Sequence, residues 1–261
     1  MFQTIVIASG SKGNCVLVQS SDTAILLDAG VSMRRILDVM DIHGISREKL
    51  AAIVVSHEHS DHTRSVGAIS RKLRIPILIN RPTLSFCAAK IGDVGDRFQI
   101  FQTGSSFRIG DIIVEAFASS HDAAESCNFV LYRQSEPAIR LGYATDLGYP
   151  TKLSVLKLSG ASTLILESNH DETMLMEGPY DWNLKQRIRS SHGHLSNNET
   201  VGLLSSLIHP GLKNLILAHL SETNNNPDLA ERTMRDYLES IRSEIRLLVA
   251  AQDRHTPLID I

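Results

Sequence analysis

Residues 57–62 read His-Glu-His-Ser-Asp-His and follow directly on the apolar run Leu50–Ser56. An uninterrupted apolar run of that length suits a strand buried on both faces. Strand ends are where α/β proteins place their chemistry. In an extended turn, His57 and His59 point to the same side, leaving Asp61 and His62 for a neighbouring ion. A metal ion takes about four ligands, so the hexapeptide alone cannot close two sites. Further donors must come from elsewhere, and three stand at other strand ends. His121 follows Ile112–Ala118, Asp146 follows Ile139–Ala144, and His219 follows Leu215–Ala218. Taken singly, each is as well explained as a loop or capping residue. Together with the hexapeptide they repeat one pattern, an apolar strand and then a donor. The chain holds 11 histidines in 261 residues, an excess that these positions begin to account for.

The rest of the chain excludes several classes. Hydrophobic residues make up 43% and charged residues 21%, an ordinary globular balance. A formal charge of −3 argues against a protein that holds nucleic acid by bulk charge. Cys15, Cys87 and Cys127 form no CxxC pair, so free thiols in a reducing compartment are expected. No apolar run approaches the roughly 18 residues of a membrane span, and Met1–Ala8 lacks the basic flank of a signal peptide. A cytoplasmic protein that does not bind membranes is expected, with its oligomeric state open. No linker or repeat interrupts residues 1–261, which read as a single domain.

Strands are predicted at Thr4–Ala8, Cys15–Gln19, Ala24–Asp28, Leu50–Ser56, Ile75–Ile79, Ile112–Ala118, Asn128–Tyr132, Ile139–Ala144, Leu164–Glu167, Leu215–Ala218 and Leu247–Ala251. Helices are predicted from the Ser32 cap to about His43, and over Ser65–Leu73, Thr83–Ile91, Thr151–Leu158, Trp182–Arg189, Ser196–Leu207 and Asp228–Ile241. Ser196 and Glu199 form a capping box. The mixture favours α/β (α+β) architecture, with mixed sheets covered by helices.

The set Asp28, His57-x-His59-x-Asp61-His62, His121, Asp146 and His219 resembles the five-motif signature of the metallo-β-lactamase superfamily. The resemblance implies a four-layer αββα sandwich with two divalent metal ions at its edge, zinc first, with manganese or iron as alternatives. It implies that His57, His59 and His121 bind one ion and that Asp61, His62 and His219 bind the other. Asp146 would bridge them together with a hydroxide. Asp28 would orient ligands from behind. A carboxylate rather than cysteine at Asp146 resembles the phosphodiesterase, nuclease, lactonase and thioesterase branches. His59 departs from the glutamate usual in the flavodiiron branch. The intervals after His121 and after Asp146 are too short for a ribonuclease Z exosite arm or a β-CASP insertion.

Several stretches resemble the bacterial YycJ/WalJ-type group of 5′-to-3′ exodeoxyribonucleases. They are Ala8–Asn14, Ser120–Ala123, Glu167–Asp171, Gly193–Asn197, His219–Glu222 and Asn224–Pro227, with Cys127-Asn128 a departure. That resemblance implies a nucleic acid substrate, DNA in the first place. The expected catalytic residues are Asp61 and His194, the latter paired with Glu167 and giving a proton to the leaving 3′-oxygen. Lys185, Arg187, Arg189 and His192 could grip phosphates, or simply form a basic surface. The Ser9–Asn14 turn could hold a phosphate through Ser11, Asn14 and backbone amides, or be a plain hairpin. His170, Tyr180 and Trp182 could line the cleft, with Trp182 able to stack a base. Their plainer reading is packing. His43, His209 and His255 read as structural or surface residues. The competing functions are a thioester, lactone or small-phosphodiester hydrolase on the same metals, and a non-catalytic binding module.

Overall fold

The computed structural model describes residues Met1–Ile261. Two seven-stranded mixed sheets form its centre. One runs, in spatial order, Ile259–Asp260, Phe2–Ala8, Cys15–Ser20, Ala24–Leu27, Leu50–Val54, Ile77–Asn80 and Phe98–Phe101. The other runs Arg246–Val249, Asn214–Ala218, Thr163–Glu167, Glu136–Ala144, Cys127–Arg133, Ile112–Ala118 and Ser106–Ile109. Side chains alternate between the sheet faces. Val16 and Val18 pack toward the second sheet, against residues such as Phe129, Leu131 and Ile165. Leu17 between them packs outward with Ile36 and Met40 of the helix Met33–Ile42. A third cluster joins the second sheet's outer face to the helices Asn197–Ser205 and Pro227–Ser240 through Leu203, Leu204, Ala230 and Met234. The layers are therefore helix, sheet, sheet, helix. Strands covered on both faces explain why Leu50–Val54 and Asn214–Ala218 are so apolar.

Each sheet is antiparallel on one side and parallel on the other. The pairing changes at Ala24–Leu27 in the first sheet and at Glu136–Ala144 in the second. Asp28 leaves the first of these strands and Asp146 follows the second. Reversal points of this kind leave an open crevice at the strand ends, which Asp146 lines and behind which Asp28 is fully buried.

Most predicted elements lie within a few residues of their observed bounds, including the caps at Ser32 and Ser196. The strands Phe98–Phe101, Ser106–Ile109 and Ile259–Asp260 and the helix Glu172–Glu177 were not predicted. The three strands lie at sheet edges, where one-sided pairing tolerates polar residues such as Gln99 and Arg108. The hexapeptide also differs from the extended turn expected of it. After His59 it coils into the helical turn Ser60–Thr63, which carries Asp61 and His62. No helix is long and apolar enough to cross a membrane.

Candidate metal centre

The strand ends bring His57, His59, Asp61, His62, His121, Asp146 and His219 into one cleft edge. Ring nitrogens of His57, His59 and His121 lie within 4.8 Å of one another, as do donor atoms of Asp61, His62 and His219. Asp146 stands between the groups. One carboxylate oxygen is 3.3 Å from His62 Nε2, and the other is 3.6 Å from both His121 Nε2 and His219 Nε2. His57 Nε2, His219 Nε2 and Asp146 Oδ2 are buried without a hydrogen-bond partner. Orphaned buried polar atoms are costly. Here they converge from separate strands, so the donor set fits divalent metal ions.

The backbone bends to make this arrangement. Asp28, Asp146 and His219 have φ of 58°, 54° and 56°, three of the five non-glycine residues in the left-handed region. Such a conformation costs on the order of 1 kcal/mol per residue. It turns Asp146 and His219 out of their strand direction into the crevice, and Asp28 into the packed space behind His62. The Ser60–Thr63 turn is held against the strand ends by Asn14 N–H donating to Asp61 O (2.7 Å) and Ala29 N–H to His62 O (2.8 Å). Gly30 lies under this contact, where a Cβ would stand 1.5 Å from the Asp61 carbonyl oxygen. Only glycine fits there.

Two buried carboxylates fix the ring orientations. His62 Nδ1–H donates to Asp28 at 2.7 Å. Ser56 donates to Asp28 from its amide (2.8 Å) and its hydroxyl (2.7 Å). Because that hydroxyl donates to Asp28, it accepts from His57 Nδ1–H at 3.0 Å. Asp28 therefore orients His62 directly and His57 through Ser56. Glu167 Oε1 accepts from Nδ1–H of both His194 and His219, each at 2.8 Å. Oε1 also accepts from the Asp146 amide, and Oε2 accepts from the Leu147 and Leu195 amides. With both oxygens engaged, Glu167 is an orienting group and has no lone pair left for an ion. His121 Nδ1–H points to Gly193 O at 3.2 Å. In each case Nδ1 is tied back and Nε2 is left facing the cleft.

The charges follow from this packing. Burial and neighbouring His62 hold His57 well below the usual histidine range, so its lone pair is available. Burial alone would raise Asp146, but His219 and His62 outweigh it and hold its carboxyl well below the usual range. Glu167, likewise buried, is held at about 2 by His194 and His219. Burial would lower His219, yet Asp146, Asp61 and Glu167 push it up to about 10. His62 is raised in the same way by Asp146, Asp61 and Asp28. With His219 at about 10, its ring carries a second proton at neutral pH in the metal-free protein, and an ion binding there would displace it. Metal uptake at pH 7.5 is expected to release protons and to weaken as pH falls. Calorimetric titration in buffers of different ionisation enthalpy measures this. Equal heats in all buffers would contradict it.

Other residues fall in several places. His194 lines the cleft beside His121 and His219, with ring centroids 5.0 and 5.2 Å away. Ser11 and Arg187 line the cleft, and Arg187 pairs with Asp122. Asn14 is buried behind it, donating to Asp61 Oδ2 at 3.1 Å. The amides of its turn are engaged within the protein: Gly10 with Asn14, Lys12 with Gln252, and Gly13 with Gly10. These three amides are not free for a phosphate, which leaves Ser11, at the cleft, as the part of the turn that could meet one. Lys185 turns away and donates to Met176 O at 2.8 Å, and Arg189 leans on Met176 Sδ. His192 lines a neighbouring groove with Thr151 and Leu153. Tyr180 lines the cleft, whereas Trp182 is an exposed surface ring outside it. His170 is buried, its Nδ1 without a partner. Ser56 was missed in the sequence, and Ser9, read there only as part of the glycine turn, accepts from the His219 amide at 2.8 Å. A lone serine carries no signal of what it will touch.

A two-sheet sandwich with a His/Asp centre at its strand ends defines a metallo-hydrolase of the β-lactamase type. The family model described as "Beta-lactamase superfamily domain" matches residues 23–219, and the chain belongs to that family. It is 35% identical over 235 residues to the exodeoxyribonuclease YycJ of Bacillus anthracis, covering 90% of this chain and 88% of that one. It is 32% identical over 267 aligned positions to the exodeoxyribonuclease WalJ of Streptococcus pneumoniae, covering 100% and 98%. Among solved structures, the metallo-beta-lactamase fold protein YhfI from Bacillus subtilis superposes with a TM-score of 0.72 at 16% identity, covering 98% of this chain and 99% of that chain. The Zn(2+)-bound PqqB of Methylobacterium extorquens gives the same TM-score and identity, covering 99% and 100%. At that identity the superpositions show the αββα fold alone.

Proposed function

We propose that the chain is a cytoplasmic, metal-dependent phosphodiesterase, a single domain over residues 1–261, that removes nucleotides from the 5′ end of DNA. The observation that carries this reading is the pair of donor groups with Asp146 between them, beside the His194 ring. His57, His59 and His121 would hold one divalent ion, and Asp61, His62 and His219 a second, with Asp146 common to both. Zinc suits the donors, with manganese or iron as alternatives. Two such ions would make an attacking water acidic and offset charge on a phosphodiester. His194, anchored at Nδ1 by Glu167, presents Nε2 to protonate the leaving 3′-oxygen. Asp61 helps set the attacking side through its contacts with His62 and His219.

The two relatives named as exodeoxyribonucleases support DNA as the substrate. The acyl alternatives would need an apolar pocket, and only three of the fifteen cleft residues are apolar. Assaying 5′-phosphorylated single-stranded DNA beside a thioester and a lactone tests the reading. DNA cleavage that disappears in Asp61→Ala and His62→Ala is expected. Turnover of the acyl substrates alone, or cleavage surviving both substitutions, contradicts it.

A further inference from the structure

The three apolar residues of the cleft, Tyr180, Leu184 and Ile188, come from one segment. Leu184 and Ile188 are four residues apart in the helix Trp182–Ile188, so they share a face. Each of the three is only half-buried, and a phosphate or metal ion gains nothing from the Leu184 and Ile188 side chains or from the face of the Tyr180 ring. The segment is held firmly. Asp181 caps the helix by accepting from Leu184 N–H at 3.0 Å. Lys185 ties it to Met176, and Arg187 pairs with Asp122, the neighbour of His121. Gly193 fits beneath it, where a Cβ would lie 2.0 Å from Ile188 O.

This wall also joins the proton donor, since His194 N–H donates to Ile188 O at 2.9 Å. If His194 protonates the leaving 3′-oxygen, the wall adjoins the sugar that carries that oxygen. In cleavage from the 5′ end, that sugar belongs to the nucleotide being removed. We infer that Tyr180, Leu184 and Ile188 form the surface on which the base of the departing 5′-terminal nucleotide packs, Tyr180 stacking on its face. Any base offers such a face, so the contact reads the presence of a base and not its identity. It rests on the phosphodiesterase reading and adds the position of the substrate within it.

The test pairs a protein change with a substrate change. One DNA carries a normal 5′-terminal nucleotide, and the other an abasic unit in its place. Wild-type kcat/KM is expected to fall about 10-fold on the abasic-ended DNA. Tyr180→Ala is expected to lose about as much on normal DNA and little more on the abasic one, because the two changes remove the same contact. Tyr180→Phe keeps the ring and should retain the wild-type preference, with metal content equal in all three proteins. Equal wild-type rates on both DNAs, or losses that multiply, overturn the inference alone. A wild type that cleaves neither DNA overturns the phosphodiesterase reading and this inference with it.

Discussion

Asp146→Asn is expected to bind one divalent ion per chain in place of two and to lose DNA cleavage by at least about 10³-fold. Asparagine is the informative substitution for a backbone reason. Asp146 has φ of 54°, and asparagine tolerates the left-handed region better than alanine does. The change therefore removes charge while keeping the turn. What it removes is the carboxylate 3.3 Å from His62 and 3.6 Å from both His121 and His219. No other carboxylate lies this close to members of both donor groups. A neutral amide oxygen cannot offset two dications, so the second ion should be lost first. Metal analysis after dialysis, with circular dichroism to verify the fold, measures this. Two ions retained at wild-type affinity would mean that Asp146 is not shared between them.

His194→Ala is expected to slow DNA cleavage by about 10²–10⁴-fold while both ions stay bound. His194 Nδ1 is held by Glu167 at 2.8 Å, and its ring is about one-fifth exposed at the cleft. Glu167 still anchors His219 when His194 is gone, so the metal centre should persist. The loss should depend on the leaving group. A 3′-oxygen leaves poorly without a proton, whereas p-nitrophenolate leaves without one. On a p-nitrophenyl ester of a nucleotide the variant should recover most of the wild-type rate. An equal deficit on both substrates, or loss of metal, would remove His194 from the role of proton donor.

The apolar runs made most of the fold legible, because a sandwich buries both faces of its central strands. Leu50–Val54 and Asn214–Ala218 could be read for that reason. Edge strands such as Ser106–Ile109 pair on one side and so lack the signal. The donors at strand ends were legible because chemistry-bearing residues stood directly after such runs. What holds them was less so. Asp28 and Glu167 were recognised through a family resemblance, but the Ser56 link from Asp28 to His57 exists only in three dimensions. Charge was a poor guide to the cleft rim. Lys185, Arg187 and Arg189 look alike in sequence, yet helical spacing turns them in different directions. Lys185 and Arg189 serve Met176, and only Arg187 reaches the cleft. The same spacing separates Trp182 from Leu184 and Ile188, which is why the more conspicuous aromatic lies outside.

End-resolved product analysis addresses the central claim most directly. The metal-loaded protein, with bound metal counted, is incubated with 5′-phosphorylated single-stranded DNA labelled at either end. The expected result is two ions per chain and stepwise release of 5′-mononucleotides from the 5′ end, abolished by chelation and restored by added metal. Intact DNA in the presence of two bound ions, or release that begins at the 3′ end, would contradict it.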